Sequence, residues 1–325
     1  LFSIFAYQNY QAPFCACTKS NGVMKRILIP LCIVVGSHAA TGQRSYQFDS
    51  PERLFVEGKE MFILKNYPGC MDKLEAYKKQ AKDADLIQES DYMLACAAFE
   101  QGKENAPDVL KEYMEKYPDT RHGDEIYYLI ASSHFDRKEY EKAVYWFKES
   151  TIEMLSQAQQ ETYSFRYAYS LLQTGEMEKA RGYFTRLKQI GTTYNDAGAY
   201  YVAYIDYASG KYNNALVEFN RLKDKPEYAL QSSYYITQIY FIQRKYEKTI
   251  AEGEVLLQNY PHSENNTEVH RILGNSYYHM GNPDKAIANL SKYVSDAEEP
   301  LRSDLYILGV CYYNKANYRS EEHTS

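Results

Sequence analysis

Between Glu268 and Tyr293 the chain reads EVHRILGNSYYHMGNPDKAIANLSKY, with apolar positions returning at helical spacing. Leu273, Gly274 and Tyr277 fall on one face of a predicted first helix. Gly281 ends it, because glycine enters the left-handed conformation without steric cost. Asn282 and Pro283 open a second helix, Asn as an N-cap acceptor and Pro with φ already set for the first turn. Ala286, Leu290 and Tyr293 recur on one face of that helix. The small Ala286 allows a close approach where a larger side chain would overpack by about 1–3 kcal/mol. The pattern predicts a helix–turn–helix hairpin.

A hairpin this small cannot bury its apolar face alone, so its recurrence matters. The residue opening each second helix recurs as Tyr67, Tyr140, Met177, Tyr212, Tyr246, Pro283 and Tyr318, with a weaker copy near Glu104. From Tyr140 onward the spacing is 34 to 37 residues, and the 73 residues between Tyr67 and Tyr140 leave room for two units. The small position is Ala143, Ala180, Ala215 and Ala286, with Cys70 and Thr249 as substitutes. The bulky position four places on is Leu74, Phe147, Phe184, Phe219 and Leu290. Gly253 breaks the rule and predicts looser packing there. Tyr117-Pro118 and Tyr260-Pro261 end second helices, since Pro cannot continue one. The turn after Gly102 reads as carrying a residue or two extra. An eighth unit begins at Pro300, with its own turn expected at Asn317-Tyr318.

The ordered set of Leu-Gly, Tyr, Gly, Ala and a bulky apolar residue, at a period near 34, resembles the tetratricopeptide repeat (TPR). The resemblance covers residues 51–318. It implies an all-α, right-handed superhelical solenoid of antiparallel hairpins, with about seven complete units and a truncated eighth. It further implies that first helices line a concave groove, with the fifth, ninth and twelfth residues of each unit facing it. Those positions nominate Tyr128, Phe165, Tyr200, Tyr234 and Tyr306, then Tyr169 and Tyr204, then Tyr207, Phe241 and Tyr278 as a partner-binding groove. Phe135, Leu172, Arg271 and Tyr313 share the pattern. Packing of the same rings between hairpins is the competing reading. The family's carboxylate clamp places Lys and Asn at groove positions; only Asn275 matches, so that ligand class is not expected.

Composition sharpens this in one respect: 35 of 325 residues are Tyr, an excess that a recognition surface would explain, since Tyr joins a large apolar body to a polar tip. The ends differ from the rest. Residues 1–23 read as upstream translation before Met24. Residues 24–42, with Met24-Lys25-Arg26, the apolar run Ile27–Val35 and small residues after it, read as a secretory signal peptide too short to span a bilayer. Arg319–Ser325 reads as an adapter-derived tail. Removing residues 1–42 takes three of the 37 basic residues and none of the 43 acidic ones, which leaves a net charge of −9. An acidic solenoid without basic blocks argues against a nucleic-acid partner.

Candidate chemistry is sparse. Cys70, Cys96 and Cys311 show no metal-binding spacing, though Cys70 and Cys96 lie on neighbouring hairpins where an oxidising compartment would allow a disulfide. His122, His134, His262, His270 and His279 lack zinc-site spacing, and no nucleophile-elbow, phosphate-loop or dinucleotide motif occurs. No catalytic residue, metal or cofactor is expected. The reading is a non-enzymatic scaffold of the Gram-negative cell envelope, periplasmic or outer-membrane-associated, that binds protein or peptide partners. A glycan-binding solenoid and a positioning module for a further domain are the alternatives, and self-association stays open.

Overall fold

The computed structural model describes residues 50–190 and 193–322, with side chains to 189 and from 193 to 316. The expected leader at 24–42 and the segment before it lie outside the described residues. Among the described residues there are fifteen α-helices and no strands. The first hairpins pair α1 (Glu52–Ile63) with α2 (Tyr67–Lys78), α3 (Ala84–Glu100) with α4 (Ala106–Lys116), and α5 (Gly123–Asp136) with α6 (Tyr140–Glu149). Next come α7 (Gln157–Gln173) with α8 (Met177–Ile190) and α9 (Asn195–Ala208) with α10 (Tyr212–Leu222). The last are α11 (Ala229–Ile242) with α12 (Tyr246–Asn259) and α13 (Asn266–His279) with α14 (Pro283–Asp296). A single helix, α15 (Arg302–Glu322), follows.

One turn geometry makes every hairpin. After Tyr278 the chain enters positive φ at Gly281, and Asn282 donates its backbone N–H to the Tyr277 carbonyl at 2.9 Å. The Asn282 side chain then accepts from the Lys285 N–H at 3.1 Å, capping α14. The same positive-φ residue recurs at Gly102, Gly175 and Gly210, and also at Lys65, Lys138 and Arg244, where a side chain bears the strain. Lys103, Glu104 and Asn105 separate Gly102 from α4, whereas Asn282 alone separates Gly281 from α14, which locates the expected insertion.

Inside each hairpin the predicted small and bulky residues are sealed. Ala143, Ala180, Ala215, Ala286, Cys70 and Thr249 are fully buried, as are Leu74, Phe147, Phe184, Phe219 and Leu290. A Cβ on Gly274 would sit 2.5 Å from Leu290 Cγ, and one on Gly58 would sit 2.7 Å from Leu74 Cδ2, so both glycines fix the helix separation.

Gly253 does not leave α12 loose. Leu273 of the following hairpin fills the space, such that a Cβ would lie 2.8 Å from its Cδ2. Yet with Thr249 and Gly253 in place of larger apolar groups, the buried apolar side chains divide here. One cluster ends at Ile239 and another begins at Leu256.

One further expectation fails. No turn forms at Asn317-Tyr318: α15 runs unbroken from Arg302 to Glu322. The pairing of Cys70 and Cys96, left open by the sequence, is answered by two free, buried thiols.

The hairpins stack into a right-handed superhelical solenoid. Successive first helices touch (α1 with α3, α3 with α5, α5 with α7, α9 with α11, α11 with α13, α13 with α15), whereas successive second helices do not pack this way. The layer with the shorter spacing must be the inner one, so first helices form the concave wall. Hairpins are also tied by buried charge. Asp206 on α9, 2% exposed, receives Arg181 from α8 through two hydrogen bonds of 2.9 and 3.2 Å.

Candidate functional site

The inner wall is built from the groove-facing residues of the first helices, and the structure sorts the expected aromatic positions into three groups. Tyr128 and Tyr200 are packing residues. Tyr128 is 7% exposed and lies against Phe147, with ring centroids 6.5 Å apart. Tyr200 is 2% exposed and is enclosed by Tyr201, Phe219 and Tyr228 at 5.3, 6.0 and 5.5 Å. These two rings cannot present a face to a partner, which corrects the expectation for both. Tyr306 is the opposite case, 73% exposed on α15.

Between these extremes, Phe165, Tyr169, Tyr204, Tyr207, Tyr234, Phe241 and Tyr278 are partly exposed. Their orientation is fixed by other rings. Tyr204, Tyr207 and Tyr234 converge on the buried Tyr235 at 6.0, 4.9 and 5.7 Å. Tyr235 in turn stacks on Phe219 at 4.9 Å with planes 13° apart. The α7–α9 seam is filled with rings. Phe165 stacks on Tyr194 at 4.9 Å, and Tyr169 meets Tyr201 edge-on at 5.5 Å. Tyr194, Tyr201 and Tyr235 escaped the positional reading because they lie in a loop or one residue past a groove position. Tyr92, at the fifth position of the irregular second hairpin, was also missed. It donates to Glu125 at 2.6 Å and stacks on His122 at 3.7 Å.

Polar groups on this wall are ordered. The Tyr207 hydroxyl donates to Gln238 Oε1, and Gln238 Nε2 donates to the Tyr234 hydroxyl oxygen at 2.6 Å. Burial raises the hydroxyl pKa of Tyr207 and Tyr234, and that of Tyr169 to about 12 with Tyr140 contributing. All three therefore stay neutral at physiological pH.

Ion pairs lie at both ends of this stretch. At one end Arg166 pairs with Asp136 at 3.3 Å and lies over the Phe135 ring. At the other, Arg271 grips Glu268 through bonds of 2.8 and 2.6 Å and lies 3.6 Å from Asp304. Burial opposes the Arg271 charge, but Glu268 and Asp304 outweigh it and hold its pKa above the ordinary value. Asn275 is spent within this cluster: its amide donates to Asp304 at 3.0 Å and to the Arg271 carbonyl at 2.9 Å.

No group of three His, Cys, Asp or Glu side chains among the described residues is arranged to hold a metal. Burial pushes the Cys70 thiol up to about 11 and raises that of Cys96, which keeps both protonated and unreactive. His134 hydrogen-bonds Glu139 at 2.7 Å, much as Tyr277 in the equivalent slot bonds Glu254, so a packing role accounts for it. No described helix is long and apolar enough to cross a membrane.

A stack of antiparallel hairpins with sealed Ala and Phe positions and an inner wall of first helices defines a helical-repeat solenoid. The chain has the tetratricopeptide-repeat fold. The C-terminal part of a TPR repeat-containing protein from Cytophaga hutchinsonii superposes with a TM-score of 0.55 at 14% identity, over 78% of this chain and 99% of that one. A tetratricopeptide repeat protein from Parabacteroides merdae gives 0.44 at 15% identity, over 81% of this chain and 98% of that one. YrrB, described as a TPR protein with an unusual peptide-binding site, gives 0.47 at 13% identity, over 65% and 99%. No protein-family model and no curated protein sequence matches the chain.

Proposed function

We infer that the protein is a non-enzymatic scaffold that binds partner polypeptides along its inner wall. The observation that carries this reading is the run of partly exposed rings at Tyr169, Tyr204, Tyr207, Tyr234, Phe241 and Tyr278 on successive first helices. Rings already held by their neighbours lose little entropy on binding, and Tyr offers both contact area and a hydrogen bond. A displayed random-peptide library panned on the protein tests it. Selected peptides should lose at least about tenfold in affinity with Tyr204→Ala or Tyr278→Ala. They should be unaffected by Val217→Ala, which alters a residue exposed on second helix α10. Equal losses at Val217, or capture of polysaccharides in place of peptides, would overturn the reading, the latter in favour of glycan binding.

The setting proposed is the cell envelope, on the strength of the Met24-Lys25-Arg26 start and the apolar run after it. Expression from Met24 in a Gram-negative host should yield periplasmic protein processed after Ala39 or Gly42. Unprocessed protein in the cytoplasm would refute that setting.

A further inference from the structure

The α11–α12 hairpin inverts the packing order of its neighbours. Gly58 faces Leu74 and Gly274 faces Leu290, with the small residue on the first helix and the bulky one on the second. The equivalent pair in this hairpin is Thr237 and Gly253, where a Cβ on the glycine would lie 3.4 Å from Thr237 Cγ2. Thr237 and Thr249 are fully buried, yet each hydroxyl donates within its own helix or turn, at 2.8 Å to the Ser233 carbonyl and 3.0 Å to the Lys245 carbonyl. Neither bond ties α11 to α12. Ring contacts across the pair involve partly exposed or exposed side chains: Phe241 meets Tyr246 at 6.4 Å, and Lys248 and Lys245 lie over Tyr240 at 5.6 and 6.0 Å. Each helix is tied more firmly outward. On α11, Tyr235 stacks on Phe219, Gln238 accepts from Tyr207, and Gln243 donates to Asn213 at 3.2 Å. On α12, Leu273 fills the notch at Gly253, Tyr246 stacks on His279 at 4.5 Å with planes 13° apart, and Glu254 accepts from Tyr277 and Lys285. The remaining ties between the two sides are peripheral. Lys223 pairs with Glu252 at 3.3 Å, a partly exposed pair that contributes little, Arg271 lies over Phe241, and Leu230 and Tyr234 reach across from partly exposed positions.

We propose that the solenoid opens inside this hairpin: α12, α13 and α14 part from α11 as one cooperative unit, while α11 stays with the five hairpins before it. A stack of repeats is held by nearest-neighbour contacts, so it separates where that coupling is weakest. Such blocks open at free energies below that of global unfolding. The unit of repetition and the unit of opening are thus out of step by one helix. The break crosses the inner wall, with Tyr207 and Tyr234 on one side and Tyr278 on the other.

The test is native-state hydrogen exchange of the full chain in low urea, read by mass spectrometry. Amides of α12, α13 and α14 should share one opening reaction and exchange at least about tenfold faster than those of α11. Trp146, the chain's only Trp, lies on α6 and reports on the first block. Its fluorescence should miss a first urea transition that far-UV circular dichroism detects. Leu273→Ala, which empties the notch at Gly253, should move that first transition to lower urea and leave the Trp146 midpoint in place. Exchange of α11 and α12 together, coincident fluorescence and dichroism transitions, or equal shifts of both midpoints would each overturn the inference.

Discussion

At the residue scale, the turn of each hairpin depends on one left-handed residue. Gly281 occupies it freely, but Lys138 does so at φ 61°, where a Cβ costs roughly 1 kcal/mol. Lys138→Gly should therefore stabilise the protein by about 0.5–1 kcal/mol, and Gly281→Ala should destabilise it by a similar amount, both read from urea melts. His134 supplies a pH dependence. Burial lowers its pKa below the ordinary 6.5, although its bond to Glu139 opposes the shift. The folded imidazole stays neutral at pH values where the unfolded one is already charged, so unfolding takes up a proton. Stability is complete above pH 6.5 and is lost as pH falls from there through the lower folded value. The melting temperature should drop between pH 7 and 5. His134→Tyr, which copies Tyr277, should reduce the drop, and His270, also lowered by burial, accounts for a remainder.

At the element scale, the junctions between hairpins matter as much as the hairpins. Arg181 of α8 neutralises the buried Asp206 of α9. Arg181→Met would strand that carboxylate and should cost about 3–5 kcal/mol, whereas the double change with Asp206→Leu should recover most of the loss. The hairpins themselves were legible in the sequence because Gly281, Asn282 and Pro283 state a helix stop and start within consecutive residues. The turn at Asn317-Tyr318 was not. The left-handed slot there is Ala316, which favours continued helix, and nothing after it repeats the small-then-bulky spacing that follows the strained turns at Lys65 and Lys138. Gly253 misled for another reason: the side chain that fills its space, Leu273, comes from the next hairpin, and periodicity within one helix says nothing about a neighbour.

At the scale of the whole molecule, the inner wall was legible as a set of positions but not as a surface. Tyr200 and Tyr204 lie one helical turn apart on α9. Tyr200 is closed off by Tyr228, from the loop before α11, while Tyr204 stays partly exposed. Loop conformation decided which ring was sealed, and no spacing rule encodes that. The tyrosines therefore fall into two sets, rings sealed within the stack and rings left partly exposed, and the proposed function rests on keeping them apart. The most direct measurement compares Tyr200→Ala with Tyr204→Ala, each by urea denaturation and by affinity for a library-selected peptide. Tyr200→Ala should lose about 3–5 kcal/mol of stability. Tyr204→Ala should lose under about 1.5 kcal/mol of stability but at least tenfold in affinity. Equal destabilisation by both, with the affinity of the folded Tyr204→Ala protein unchanged, would contradict the account.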